Sequence, residues 1–317
     1  MPGAPVAASL EPALLGPHAG RRLPVRDHRF VRRWRSDRAQ HARTGFLFCL
    51  PALAYFVIWI FIPAVYGIWV SLNNYTFISP SSFVGLKNFT GLPSYPGWTT
   101  SLWVTVVYVL ETVVPTLFVA FVIARLLLHV RRGRGIFLAI FFVPFVIPAA
   151  AAAIIFELLL QPAGIVNHLL GTAISWLTQP APALGAVSAV TLWSLAGYYV
   201  IIFLAGMQQV PLEVIEAAHV DGATLLQRVL RVELPLLKPT VLFSTVTGLA
   251  YVLTSFTVPF VMTSGGPGSA TTVLPLLIYR VAFQYGQGGS AEAMAIVLFG
   301  ASVLLVWLQF ALLREKR

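Results

Sequence analysis

Three groups of residues in this sequence could do chemistry or make specific contacts. The first is Glu216-Ala217-Ala218-His219-Val220-Asp221-Gly222-Ala223, followed by Leu234-Pro235-Leu236-Leu237-Lys238-Pro239, a polar stretch between long apolar runs. Its residue types suit docking. Pro211 can begin a helix, and Glu213 and Glu216 place negative charge near that helix's positive end. Ala217 and Ala218 are small enough for another protein to approach the backbone. Gly222 supplies a break, Thr224 can cap a second short helix, and Pro235 can stop it.

The second group is a pair of carboxylates, Glu111 and Glu157, inside apolar runs. A carboxylate there is costly enough to mark a substrate or proton path, the competing role being a protonated or helix-bonded structural residue. Glu157 lies near the end of its run and can reach an interface. The third group mixes hydroxyls, glycines and rings: Thr191, Trp193, Ser194, Gly197, Tyr198 and Tyr199 in one run, and Ser244, Thr245, Thr247, Gly248, Tyr251, Thr254 and Ser255 in the next. Hydroxyls can pair with the OH groups of a sugar or polyol, and aromatic faces can stack on its CH faces. The same residue types also let membrane helices pack closely.

The sequence contains no G-x-x-x-x-G-K-[ST] phosphate loop, no G-x-S-x-G elbow and no H-E-x-x-H pair. Its histidines are scattered, with His18, His28 and His41 in the N-terminal arm, and no metal site is expected. Cys49 has no second cysteine to pair with and reads as a small apolar-facing residue. No catalytic residue is expected. An ATP-driven cycle would need ATP and Mg to be bound by a partner.

The elements that must position these residues are membrane helices. Apolar residues make up 58% of the chain and charged residues 10%, against roughly 25% charged residues in a soluble domain, so the chain belongs in a bilayer. A span needs about 20 apolar residues. Six candidates run over roughly 46–72, 101–128, 136–160, 184–206, 240–262 and 291–313. Residues 1–42 read as a disordered basic tail with nine arginines from Arg21 to Arg43 near its end, and 43–317 as the spanning domain, with the docking loop at about 207–239. The first run is too long for a signal peptide, and Arg32-Arg33 lies too far upstream of it for a twin-arginine signal.

The net charge of +10 reports topology and not nucleic acid. Threading the spans from a cytoplasmic N-terminus, with Arg125 at the cytoplasmic end of span two, leaves only Lys87 and Arg280 of the 21 basic residues outside. Both termini are then cytoplasmic. Trp98, Trp176, Tyr279 and Tyr285 lie in external connections and suit an interfacial belt. Pro51, Pro63, Pro115, Pro144, Pro148 and Pro259 interrupt the spans, as in proteins that move solutes.

The spacing E-A-A-x-x-D-G-A-x8-V-x-L-P resembles the cytoplasmic loop of ABC importer permeases, in which it forms the coupling helix held in a groove of the ATPase. Other blocks are similar to the carbohydrate-uptake branch, the maltose and glycerol-phosphate type: Phe83-Val84-Gly85-Leu86-Lys87-Asn88-Phe89, Gly164-Ile165-Val166-Asn167, Leu204 to Pro211, Thr263-Ser264-Gly265-Gly266-Pro267 and Thr271-Thr272-Val273-Leu274-Pro275. The resemblance implies an all-α, six-span, type I importer permease in the plasma membrane of a prokaryote. It also implies four kinds of partner: a second and different permease, two ATP-binding cassette subunits, an extracytoplasmic solute-binding protein and the bilayer. Transport would follow alternating access of a sugar or polyol. Glu216, Ala217, Ala218, Asp221, Gly222, Ala223, Leu234 and Pro235 would couple to the ATPase.

By the same resemblance Thr191, Ser194, Leu195, Gly248, Val252 and Ser255 occupy solute-lining positions, joined as candidates by Trp193, Tyr198, Tyr251 and Glu111. Leu195 and Val252 cannot hydrogen-bond a sugar. Val229 stands where an aromatic is common, and Thr257 where an aspartate is usual. The alternative from another class is a proton-coupled secondary carrier with Glu111 as its relay.

Overall fold

The computed structural model describes residues 44–78 and 81–313. The basic tail, His18, His28, His41, Arg43 and the terminal Arg314, Lys316 and Arg317 lie outside the described residues. The chain divides after Pro63 into two units, each described by itself. The described part of the first unit is helical and belongs to α1, Thr44–Ser71. A π-turn at Val57–Phe61 precedes Pro63, and the Ile62 amide bonds back to the Val57 carbonyl. Widening the turn relieves the clash that proline makes with the preceding turn.

The second unit contains α2 (Trp98–Leu128), α3 (Arg134–Val146), α4 (Ala149–Leu159), α5 (Pro180–Met207), α6 (Leu212–Val220), α7 (Leu225–Leu236), α8 (Lys238–Thr254), α9 (Thr257–Thr263), α10 (Leu274–Gln284) and α11 (Gly288–Leu313). Two-residue strands β1 (Asn73–Asn74) and β2 (Ser82–Phe83) pair antiparallel after α1. Four helices are long and apolar enough to cross a membrane, or six if each of two bent pairs counts as one span.

Two of the expected spans are interrupted. The run 136–160 forms α3 and α4, which meet at 95°. Pro148 cannot continue a helix and biases Ile147 to the extended conformation it adopts (φ −70, ψ 128). At 1.5 Å per residue the arms are about 20 and 16 Å long, so neither alone crosses a core of about 30 Å. The other bent pair is α7 and α8, which meet at 74°; the run 240–262 breaks further along, where α8 stops at Thr254 and α9 restarts at Thr257. In a continuous helix Pro259 would clash with the carbonyl of Ser255.

The core is built on α2 and α5. Along α2 the residues Thr105, Tyr108, Thr112, Thr116, Ala120 and Ala124 form a buried stripe at helical spacing. Thr105 and Thr116 donate their hydroxyls to carbonyls one turn back, at 2.6 and 2.5 Å, which satisfies these two donors within an apolar interface, while the Thr112 hydroxyl between them has no partner in the chain. Val187, Val190, Val200 and Phe203 of α5 complete this core. A smaller cluster near the start of α2 gathers Leu92, Trp98, Leu274, Leu277, Val281 and Met294. Of the four residues expected in an aromatic belt, Tyr285 alone is exposed. Trp98 is buried, Trp176 donates to Asn167 Oδ1 at 2.9 Å, and Tyr279 stacks on Phe256.

Gly197 lets α3 approach α5 closely, because a Cβ there would overlap the Phe141 carbonyl. Phe145 stacks on Tyr198 alongside, with ring centroids 4.8 Å apart. Replacing Gly197 with alanine is expected to destabilise the packed unit by about 1–3 kcal/mol, the usual cost of overpacking. Thermal denaturation in detergent would show this as a lowered midpoint, and an unchanged midpoint would mean that α3 does not hold this approach.

Candidate functional site

The docking motif folds as a helix, a left-handed turn and a second helix. Glu216, Ala217 and Ala218 lie on α6, and Asp221 follows it. Gly222 has φ +73, accessible to glycine at little cost. Two bonds close the helix end: the Gly222 amide donates to the His219 carbonyl and the Ala223 amide to the Ala218 carbonyl, both at 3.1 Å. This is the Schellman arrangement, and it gives Ala218 and Ala223 a role in the turn as well as small size. Thr224 caps α7 through a capping box: its hydroxyl accepts from the Gln227 amide, and Gln227 Oε1 accepts from the Thr224 amide at 2.8 Å.

Two expectations for this segment are corrected. Pro211 is the cap residue before α6 and not its first turn. Pro235 does not stop the second helix, which runs to Leu236 through a π-turn at Val229–Glu233. The Leu234 amide bonds to the Val229 carbonyl across that turn. It is the device seen before Pro63, one wide turn ahead of a proline.

No residue of α6 is buried. Val220 is 87% exposed, and Leu212, Leu225, Leu226 and Leu230 are each more than half exposed. Behind the segment is a cavity of about 600 Å3 whose polar lining includes Arg125, His129, Gln208, Arg228 and Glu233. Arg125, near the end of α2, makes an ion pair with Glu233 of α7. The Arg228 guanidinium lies 3.1 Å from His219 Nδ1 and so ties α7 to α6. With its amide oxygen turned inward, Gln208 accepts from Arg134 at the start of α3.

Arg125 and Glu233 were not among the sequence candidates. Their signal was available in the charges: one cation inside an apolar run, and one carboxylate among Arg228, Arg231 and Lys238. In a chain with few charges, such opposites are expected to find each other.

The solute-path candidates fall on different faces. Thr191, Leu195, Gly248 and Val252 are buried. Thr191 Oγ1 lies 2.8 Å from the Tyr108 hydroxyl, and a Cβ on Gly248 would meet Tyr199 OH at 3.3 Å. These four form the packed wall between α2, α5 and α8. Ser194, Tyr198 and Ser255 are half-buried, and Trp193 and Tyr251 are exposed. Trp193 meets Phe156 edge-on at 5.0 Å. Glu111 is exposed on α2 and accepts from the Ser188 hydroxyl at 3.2 Å. Glu157 lines a separate cavity with Gln161, Thr178 and Ser264. Among the described residues no cluster of metal-ligating side chains occurs.

A polytopic helical protein with a capped helix pair standing clear of its core presents that pair to a partner. Comparison with known proteins identifies the kind of protein. Residues 116–317 match the family described as binding-protein-dependent transport system inner membrane component. The chain is 31% identical over 266 residues to the trehalose/maltose transport system permease protein MalF of Thermococcus litoralis, covering 82% of this chain and 90% of that protein. It is 34% identical over 262 residues to the multiple sugar-binding transport system permease protein MsmF of Streptococcus mutans, with coverages of 80% and 90%. Identity to the sn-glycerol-3-phosphate transport system permease protein UgpA of Escherichia coli O157:H7 is 31% over 277 residues, with coverages of 86% and 94%. A chain of a bacterial alginate ABC transporter, solved with an alginate pentasaccharide-bound periplasmic protein, shares the fold at a TM-score of 0.76 and 22% identity, covering 88% of this chain and 96% of that one.

The chain belongs to the inner membrane component family of binding-protein-dependent transport systems. It is an ABC importer permease with the type I fold and a multi-pass protein of the plasma membrane. The alternative of a proton-driven carrier is set aside on this finding.

Proposed function

We propose that this permease carries a sugar or related polyol across the membrane by alternating access, powered by ATP hydrolysed in separate subunits. The observation that carries the reading is α6, a nine-residue helix with apolar side chains and no buried residue, held at a fixed angle by the Gly222 turn. Such a helix needs a protein partner to cover it, and an ATP-binding cassette subunit is the partner the motif resembles. Glu216, Ala217, Ala218, Asp221, Gly222 and Ala223 would meet it, and Leu234 and Pro235 would connect α7 to α8. ATP and Mg would be held by two such subunits, with none bound here.

A second permease would complete the path, and a solute-binding protein would deliver the solute at the opposite end. The charge asymmetry of the sequence supports cytoplasmic termini. The names of the relatives support a sugar or a glycerol phosphate as the solute class. Within this chain the path would follow the accessible face of Ser194, Tyr198, Tyr251 and Ser255, with Trp193 and Glu111 at its margins. Thr191, Leu195, Gly248 and Val252 would form the wall behind it. Closure of the ATPase pair would reach the spans as rigid-body motion through α6.

The test is affinity purification of the tagged chain from its native membrane in mild detergent, with its companions identified by mass spectrometry. An ATPase and a second permease are expected to come with it. Recovery of the chain alone, at full membrane level, would remove the docking assignment.

A further inference from the structure

The geometry points to an anion-binding subsite at the end of the fold opposite the α6–α7 segment, where Arg280, Ser101 and the start of α2 converge on one cavity to hold the carboxylate or phosphate of a hydroxylated solute. The inference deepens the importer reading and rests on it for the direction of transport.

The cavity has a volume of about 450 Å3 and is lined by Tyr95, Gly97, Ser101, Thr272, Arg280 and Tyr285 among others, with no acidic side chain in its wall. Small-molecule sites commonly run from about 300 to 1,000 Å3. The cap residue of α2 is Gly97 (φ +82), which has no side chain to accept from the first-turn amides. The Tyr95 carbonyl takes the Trp98 amide at 3.1 Å, and no side-chain oxygen caps the rest of the first turn, so a 31-residue helix turns its positive end this way.

Ser101, one turn into α2, is 1% exposed, and its hydroxyl has no hydrogen-bond partner in the chain. Buried hydroxyls are nearly always bonded; Thr112 and Ser244 share the unpaired state, but of the three only Ser101 belongs to the lining of this cavity, where a solute oxygen seated against it would complete the bond. Arg280 gives one guanidinium nitrogen to the Ser264 carbonyl. That contact leaves further N–H groups of a five-donor fork for an oxyanion. Thr272 is held in the wall by donating to the Gly265 carbonyl at 2.8 Å, and the Tyr95 hydroxyl donates to Gln287 Oε1 at 2.9 Å. The two tyrosine rings add faces for the CH groups of a polyol. The cavity is concave and combines rings with hydroxyls, which favours a small solute over a protein side chain.

Position in the sequence places Arg280 only in an external connection. The chain places it half-buried, against the loop that joins Gly265-Gly266 to Thr271-Thr272.

The assembled transporter, in lipid nanodiscs without nucleotide or binding protein, would be titrated calorimetrically with glucuronate, inorganic phosphate and glucose. Glucuronate is expected to bind, phosphate to compete with it, and glucose to bind at least about tenfold more weakly, since charge-assisted hydrogen bonds to Arg are the strong ones. Arg280→Gln is expected to weaken glucuronate at least about tenfold. Ser101→Ala is expected to weaken it several-fold without lowering the thermal midpoint, because no bond within the chain is lost.

Equal binding of glucose and glucuronate, or wild-type affinity in both variants, would overturn the assignment. So would the absence of solute binding together with weaker docking of the loaded binding protein to Arg280→Gln, which would make the pocket a socket for that protein's carboxylate. The assay needs no ATPase coupling. A Gly222→Val transporter that binds glucuronate but does not transport would separate this subsite from the docking loop.

Discussion

Gly222→Val is expected to reduce ATP-driven uptake at least tenfold while leaving the amount of protein in the membrane unchanged. The left-handed conformation at Gly222 costs an ordinary L-residue roughly 1–2 kcal/mol, and a β-branched one more. A Cβ at this position would meet nothing within 4 Å, so the penalty arises in the backbone and not in packing. The strain is relieved by letting the turn open, which gives up the Gly222–His219 and Ala223–Ala218 bonds and swings α6 away from its fixed angle to α7. No α6 residue contributes to the buried core, so insertion and folding of the spans should continue. The loss falls on docking, where each 1.4 kcal/mol of mispositioning is a decade in affinity. Gly222→Ala should fall between the variant and the wild type. Uptake at the wild-type rate by Gly222→Val, at equal membrane level, would show that this turn does not set the coupling geometry.

The helical class of the fold and the α6–α7 segment were legible in the sequence because their determinants are local. Length of apolar run, sites of positive charge, a glycine two residues past a helix end and a Thr-x-x-Gln box each act within a few residues. The blocks that resemble the carbohydrate branch were legible as matches, and the structure supplies their physical meaning. Asn88 donates to the carbonyls of Ser71 and Asn73 at 2.8 and 2.9 Å. Asn167 is buried and bonds the carbonyl of Ile174 and the indole of Trp176. The Gly-Gly-Pro and Thr-Thr blocks bind each other through Thr271 and Thr272. These residues fasten connections, and Thr272 also lines the cavity proposed for the solute's anion.

The bend in span three, the break in span five, and the division of the hydroxyl-rich positions into a packed wall and an accessible face were not legible. A proline in an apolar run signals a possible kink, but its size depends on what packs against it. The 95° turn at Pro148 lies beside the approach of α3 to Gly197, a long-range fact. Likewise Thr191 and Ser194 are three residues apart, and only the position of Tyr108 on α2 decides which is taken up in packing. Arg125 and Glu233 lie 108 positions apart, and residue spacing alone could not bring them together.

That pair carries the second large expectation. Glu233→Ala is expected to destabilise the α2–α7 junction by about 2–3 kcal/mol, because it leaves Arg125 without its partner at an apolar boundary. Removing one member of a buried pair costs about 3–5 kcal/mol, and the Arg125 side chain, 19% exposed against 9% for Glu233, recovers part of that from water. Arg125→Leu with Glu233→Leu should restore most of the stability, since an apolar pair of this kind often matches or exceeds the ion pair it replaces.

Stability and coupling then separate. The ion pair joins the segment proposed to receive the ATPase stroke to α2, the helix with the longest buried stripe, across a cavity with room for the parts to move apart. The double leucine variant is therefore expected to hydrolyse ATP but to move several-fold less solute per ATP than the wild type. The charge swap, Arg125→Glu with Glu233→Arg, should recover both quantities. Thermal midpoints and transport-to-hydrolysis ratios in proteoliposomes would check this. Full transport per ATP in the double leucine variant would reduce the pair to a structural fastening. Failure of the swap, with stability regained, would mean that the directionality of the guanidinium and not the charge alone carries the link between α2 and α7.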